Sequence, residues 1–166
     1  MGTVDRFSKM AETTGAEVHT VSKEDAKDVL QELIKPPAVG VQPLTDTVSL
    51  PSIVDPPTKQ KFIDEAKTGI TDAIIGIETL GSVVIPSDGR QTGPVSLFPA
   101  RQIAIIEASD IVPDIETAFS VLHDQYGQGM DNTVIVTGPS STGDMGELVT
   151  GVHGPGELHI VVICDE

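Results

Sequence analysis

Short runs of β-branched and aliphatic residues constrain the fold of this chain most strongly. They occupy residues 102–106, 133–136 and 158–163, and each suits a strand that is buried on both faces. Trp is absent and the aromatic residues are four Phe and one Tyr. The core must therefore be built from Val, Ile, Leu and Ala, which favours buried strands flanked by helices over an aromatic-rich sandwich.

Helical periodicity appears between the strand candidates. A helix is predicted after the N-cap candidate Ser22 and ends before Pro36, and further helices are predicted to begin near Pro57 and near Asp110. Pro- and Gly-rich segments at 42–57 and 86–99 predict irregular connections. The remaining strand candidates lie at 38–41, 72–77 and 82–85.

Strands that alternate with helices predict an α/β fold, with three layers and a mostly parallel central sheet. The segment 72–106 has strands with no predicted helix between them, so a hairpin or mixed pairing is expected there. The length of 166 residues is that of one domain, and residues 1–166 are treated as a single domain.

The formal net charge of −15 opposes binding to phosphate backbones and anionic membranes, so we expect no nucleic-acid or membrane partner. Two explanations of the acidic composition stay open: the host has a salt-rich cytoplasm, or this is an ordinary acidic protein. Cys164 is the single cysteine, which excludes an internal disulfide and a Cys-based cluster built from this chain alone. No membrane-length apolar run or signal pattern is present, which predicts a cytoplasmic protein.

A Gly- and Ser-rich loop follows the strand candidate at 133–136. We predict that it opens a helix near Asp144 and that backbone amides and hydroxyls at this helix start bind a small anion. An ordinary capped turn is the alternative, since Ser, Thr and Asp are favoured caps. The candidate ligand-binding residues here are Gly138, Ser140, Ser141, Thr142 and Asp144.

A second loop, before the last strand candidate, carries His153 and Gly154. His153 is the candidate catalytic base, because a loop histidine titrates near neutral pH, although a structural role is the alternative. His159 alternates with apolar neighbours and is predicted to be a packed strand residue. These histidines, with Asp144 and Glu147, lack a metal-site spacing, so no metal site is predicted.

A third group of candidate ligand-binding residues, Glu78, Thr79 and Gly81, stands at a junction between strand and loop. An acid in an exposed turn is the alternative for Glu78. Arg90 and Arg101 are the arginines outside the N-terminal part, and one of them is expected to hold an anionic ligand.

Two longer motifs, Thr137-Gly-Pro-Ser-Ser-Thr-Gly-Asp144 and Gly151-Val-His-Gly-Pro-Gly-Glu-Leu-His159, resemble the closing signature of the lactate-utilisation (LUD) domain family. Glu78-Thr-Leu-Gly81 and Pro99-Ala-Arg-Gln-Ile103 are similar to its earlier landmarks. The match covers roughly residues 60–164 and is loose over 1–57. Within the family, the chain is most similar to the lactate utilization protein C branch.

This resemblance implies a fold like that of the sugar-phosphate isomerase and CoA-transferase superfamily. It also implies a subunit of an iron–sulfur-dependent system that oxidises lactate to pyruvate, with the clusters in partner proteins and no cofactor in this chain. The alternative is a stand-alone enzyme or binding domain for a small phosphorylated or CoA-linked carboxylic acid. Whether the chain is itself an enzyme, and whether it is a homo-oligomer, stays open.

The chain departs from the family pattern at four positions. Ser141 stands where family members usually carry Arg, Gln102 where they carry His, and Gly156 where a basic or larger residue is frequent, while Leu80 is an insertion. An Arg and a His are natural partners for a carboxylate or phosphate, so their replacement changes the expected chemistry of the site.

Overall fold

The computed structural model describes residues 1–126, 128, 130, 132–144 and 146–164. The described helices are α1 (Thr3–Thr13), α2 (Ala26–Leu33), α3 (Gln60–Glu65), α4 (Thr92–Leu97) and α5 (Ile115–Tyr126). The described strands are β1 (Glu17–Ser22), β2 (Ala38–Gly40), β3 (Val54–Asp55), β4 (Thr68–Asp72), β5 (Ile75–Ile77), β6 (Ser82–Ser87), β7 (Arg101–Glu107), β8 (Ile111–Val112), β9 (Asn132–Val136), β10 (Ser141–Asp144), β11 (Glu147–Thr150) and β12 (Glu157–Cys164).

A six-stranded sheet in the order β1-β12-β7-β4-β2-β3 forms the centre of the fold, and each of its pairings is parallel. The α/β prediction with a mostly parallel central sheet is confirmed. β12 and β7 bury nearly every side chain, which is what their continuous apolar runs indicate.

Both faces of this sheet are covered. On one face, α2 packs its buried Ala26 and Leu30 against β7 and β12. On the other face, Phe7 and Ala11 of α1 share a core with residues of β6, β7 and β12. Alternate residues of β12 serve the two cores, so a single strand connects them.

A second sheet, in the order β8-β5-β6-β9, lies on the face that carries α1. Its strands β5 and β6 form an antiparallel pair, as the hairpin expected within 72–106 requires. Ala118 and Leu122 of α5 cover its other side by packing on β5 and β6.

Two predicted element boundaries are wrong. The expected strand 72–77 is two strands, because the chain passes from one sheet to the other: the Ala73 amide donates to Ile105 in the central sheet and the Ile74 amide to Val84 in the second. The segment 86–99 was predicted to be irregular, but it contains α4, which buries Thr92 and Val95. Neighbouring Gly and Pro residues obscured this helix in the sequence.

The predicted helix after Asp144 is also wrong, since β10 and β11 form an antiparallel hairpin there. Thr142 lies opposite Val149 in this hairpin, and β-branched residues in cross-strand pairs favour strands over helices. The helix start near 110–113 is shifted as well. Ile111 and Val112 form β8, and the Asp114 carboxylate accepts the Thr117 amide at 2.8 Å before α5.

The N-terminal residues complete the central sheet. β1 pairs with β12 along its whole length, from Glu17 opposite His159 to Ser22 opposite Cys164. Residues 1–57 therefore contribute two core helices and three strands of the same sheet, although their sequence resemblance is weak. None of the described helices has the length and apolarity needed to cross a membrane.

Replacing Phe7 by Ala tests whether α1 belongs to the core. Phe7 is fully buried, so Phe7→Ala is expected to lower the free energy of unfolding by about 3–5 kcal/mol. Phe119 is 55% exposed on α5, and the control Phe119→Ala is expected to change it by no more than about 0.5 kcal/mol. Urea unfolding of both variants measures the difference, and equal effects would contradict this packing.

Candidate functional site

The two motif loops, residues 137–141 and residues 153–155, meet in one cleft of about 350 Å³. We call it the motif cleft. Gln102 of β7 and Leu158 of β12 form its floor, so it lies at the amino ends of these two strands. Predicted site residues that line it are Gly138, Ser140, Ser141, His153 and Gly154.

Backbone hydrogen bonds hold the two loops together. The Ser140 amide donates to the Pro155 carbonyl at 2.7 Å, and the Gly151 amide donates to the Ser140 carbonyl at 2.9 Å. A β-carbon on Gly154 would lie 3.0 Å from that of Ser140, so Gly154 permits the close approach of the loops. The two sequence motifs are therefore parts of one structural unit.

The first loop is also fixed to the rest of the fold. Gly138 has a φ of 66°, and a β-carbon there would lie 2.3 Å from the Thr14 carbonyl oxygen at the end of α1. The Thr137 and Ser82 hydroxyls lie 2.7 Å apart in a hydrogen bond to β6. Packing against α1 is therefore enough to require glycine at position 138, whether or not the Gly138 amide contacts a ligand.

Gln102 provides the most informative polar group of the cleft. Its side chain is 2% exposed, and its amide nitrogen Nε2 is buried without a hydrogen-bond partner among the described residues. Leaving a buried donor unpaired costs about 1–3 kcal/mol, so such a group in a cleft indicates a missing acceptor. A reorientation of the side-chain amide towards the cleft would bring this donor within reach of a ligand oxygen.

Neither Arg90 nor Arg101 is among the described residues that line the motif cleft, so the expected arginine contact to an anionic ligand is not provided there. Arg90 pairs with Asp88 at 2.6 Å and with Asp72 at 3.3 Å, away from the motif loops. Arg101 pairs with Glu157 and donates to the Leu33 carbonyl at 2.6 Å. Both guanidinium groups are thus paired with carboxylates of the protein itself.

His153 is exposed and is the titratable side chain among the described residues that line the motif cleft. Ser141 begins β10, whereas Thr142 is half-buried within the hairpin and does not line the cleft. The backbone of Asp144 belongs to β10, and its side chain lies outside the described part of the chain. The anion-binding helix start is therefore replaced by a hairpin beside a neutral cleft.

Comparison with known proteins identifies the family. The model of the LUD domain family matches residues 57–163, which include both motif loops and Gln102. The chain belongs to the LUD domain family. This confirms the resemblance that the motifs indicated.

Curated relatives of this LUD chain include Lactate utilization protein C 1 of Bacillus mycoides, 36% identical over 110 residues, which are 64% of the chain and 47% of that relative. Lactate utilization protein C of Bacillus subtilis is 34% identical over 111 residues, covering 63% of the chain and 45% of the relative. The chain spans less than half the length of these relatives.

A solved structure is similar to almost the whole LUD chain. The crystal structure of a DUF162 family protein from Deinococcus radiodurans matches with a TM-score of 0.69 and 16% sequence identity, over 97% of this chain and 96% of that one. The shared fold therefore includes the N-terminal residues that the family match does not reach.

In this LUD chain, the predicted site residues Glu78, Thr79 and Gly81 lie apart from the motif cleft. Glu78 and Thr79 line a separate pocket of about 380 Å³ beside α1. Arg6 donates to both Glu78 oxygens, at 2.7 and 3.0 Å, and these bonds lower the pKa of Glu78. Gly81 packs on α1. The role of Glu78, Thr79 and Gly81 in ligand binding stays a prediction.

A further cavity of about 210 Å³ lies at the carboxyl ends of the central strands, where α/β proteins commonly bind ligands. Asp72, Glu107 and Asp110 line it. Burial and the charge of Glu107 raise the pKa of Asp110. Three carboxyl groups make this cavity unfavourable for an organic acid, which leaves the motif cleft as the better candidate.

Glu78→Gln tests the ion pair that joins α1 to the second sheet. The folded-state pKa of Glu78 is lowered, so the pair stabilises the protein above the unfolded-state pKa of about 4.3 and stops doing so as the pH falls through the folded-state value. The urea midpoint of Glu78→Gln should lie below that of the parent near neutral pH and approach it in acid.

Glu65→Gln is the matched control, because Glu65 pairs with Lys61 at 3.7 Å on an exposed helix surface. Its urea midpoint is expected to stay near that of the parent at each pH. A Glu78→Gln deficit that did not change with pH would contradict the assignment.

Proposed function

We propose that this LUD chain binds a small 2-hydroxy carboxylate, such as lactate, in the motif cleft and acts in lactate utilization. The observation that carries the proposal is the convergence of both family motifs on one cleft with the unpaired amide of Gln102. Curated relatives of the chain are named lactate utilization protein C. Since the chain spans less than half of each, their role is transferred here as a proposal.

The chemistry of the cleft suits such a ligand. Gln102 Nε2 would donate to a carboxylate oxygen, and the hydroxyl groups of Ser140 and Ser141 add polar contacts near the opening. Lys and Arg are absent from the described lining residues, so a phosphate or diphosphate would find no cation to balance its charge. A small ligand with one charge fits better than the phosphorylated alternative.

His153 is the proposed base for oxidation. Converting lactate to pyruvate removes two electrons and two protons, and His153 would take the proton of the hydroxyl group. The two electrons would pass one at a time to the clusters of iron–sulfur partner proteins, which the proposal names as the oxidant, and the proton from the α-carbon would be released to water. The sequence contains one cysteine, so the proposal assigns the clusters to partner proteins and this chain to a subunit role.

Gln102→Leu separates binding from folding. Leu has a similar volume and removes an unpaired buried amide, so the free energy of unfolding should stay the same or rise. Lactate binding, measured by calorimetry, should weaken by about tenfold or more, the effect of losing one hydrogen bond to a charged group.

Gln31→Leu, on the exposed side of α2, is the matched control and should leave lactate binding unchanged. If Gln102→Leu bound lactate as well as the parent does, the motif cleft would not be the lactate site.

Purification of the tagged chain from its own host, grown on lactate, tests the subunit role. We expect cysteine-rich proteins to co-purify with a visible iron–sulfur absorbance, and His153→Gln to retain this complex while it loses lactate oxidation. A chain that elutes alone and colourless would contradict the subunit role. Turnover by that isolated chain would instead support a stand-alone enzyme.

A further inference from the structure

We propose that Glu17, His19 and His159 form a binding site for a divalent transition-metal ion such as Zn²⁺. The three residues meet at the amino ends of β1 and β12, where Glu17 lies directly opposite His159 in the parallel pairing. The sequence pattern predicted no metal site. Because β1 was not predicted, Glu17 and His19 were not assigned to a strand beside His159.

The site is separate from the motif cleft. Leu158 lines the cleft and belongs to the core beneath α1, whereas Val161, two residues beyond His159, belongs to the core beneath α2. Because side chains alternate along a strand, His159 lies on the α2 face of the sheet. A ligand in the cleft and an ion at His159 would therefore occupy opposite faces.

The donor atoms converge on one point. His19 Nε2 lies 3.2 Å from His159 Nδ1, and Glu17 Oε2 lies 3.6 Å from the same nitrogen. One donor atom from each residue lies within 4.8 Å of the others. Bonds of about 2.0–2.1 Å in tetrahedral geometry place neighbouring ligand atoms about 3.4 Å apart, so these distances fit a shared ion with small adjustments.

His159 supplies a second, independent observation. It is 3% exposed, and its other ring nitrogen, Nε2, is buried without a hydrogen-bond partner among the described residues. Binding of an ion to Nδ1 requires the proton to lie on Nε2, and Glu157 Oε2 is 3.8 Å from that atom. A small rotation of Glu157 would create the carboxylate–histidine–metal arrangement that is common in protein metal sites.

The environment also favours a neutral imidazole. Burial lowers the pKa of His159, and the charge of Arg101 lowers it further. Glu17 is exposed and His19 half-buried, so the ion can reach the site from solvent.

A direct hydrogen bond between the two rings is the alternative explanation for the short contact between His19 and His159. It uses one nitrogen of each ring, and it assigns no role to Glu17. The metal site accounts for all three groups. Two imidazoles and one carboxylate suit Zn²⁺, with a water molecule as fourth ligand.

An ion at this position would join an edge strand to the interior of the sheet. β1 is at the edge and has β12 as its neighbour in the central sheet. A ligand that binds the folded protein alone raises its stability, so the ion should raise the midpoint of thermal unfolding as its concentration increases. The metal would then hold the N-terminal segment in place.

Zinc titration of the EDTA-treated, dialysed full chain by calorimetry tests this proposal. We expect one Zn²⁺ per chain, and a visible absorption band typical of tetrahedral geometry when Co²⁺ is used instead. His19→Ala should weaken zinc binding by at least about 100-fold and Glu17→Gln by about tenfold, since each removes one ligand. Both positions are accessible, so circular dichroism without metal should show that these variants fold like the parent.

His123→Ala is the matched control, because His123 is exposed on α5 and lies outside the cluster. It should bind Zn²⁺ like the parent and show the same zinc-dependent rise in the thermal midpoint. Zinc binding that His19→Ala leaves unchanged, or the absence of binding by the parent at millimolar zinc, would overturn the proposal.

Discussion

The position of β12 between β1 and β7 is the constraint on which the rest of the structure depends. Two parallel ladders hold this strand over its full length, and its side chains enter both cores. The strand thereby fixes the second motif loop directly before it and places that loop beside Gln102 of β7. It also secures the N-terminal segment through β1. Fold, cleft and histidine cluster thus share one structural element.

The sequence predicted the parts of the fold that depend on local pattern. Continuous aliphatic runs located β7 and β12, and the helical spacing of apolar residues located α2. The predicted N-cap was wrong, because Ser22 ends β1 and Asp25 is the residue before the helix. α1 was missed although Phe7 and Ala11 have helical spacing, since few apolar residues surround them. β1 was missed because it has a polar, half-exposed sequence and becomes a strand through its pairing with β12.

The sequence likewise predicted only part of the candidate site. The motifs identified the two loops and His153, because Gly, Pro and Ser mark loops whatever their surroundings. The hairpin after Ser141 was mistaken for a helix, since short segments carry little periodicity. Gln102 was seen as a departure from the family, and its importance depends on an unpaired nitrogen that only packing reveals. Glu78 lies outside the motif cleft and pairs with Arg6, which is 72 residues away in the sequence, so local pattern could not indicate this contact.

The described residues that line the motif cleft include no acidic side chain, so a lactate anion can bind there although the chain has a net charge of −15. The most direct measurement is a map of backbone amide chemical shifts in the ¹⁵N-labelled chain during titration with lactate. If lactate binds in the motif cleft, the shifts will be concentrated at Gln102 and at the non-proline residues of 137–141 and 153–155. Shifts confined to the cavity beside Asp72, or to the pocket beside Glu78, would contradict it.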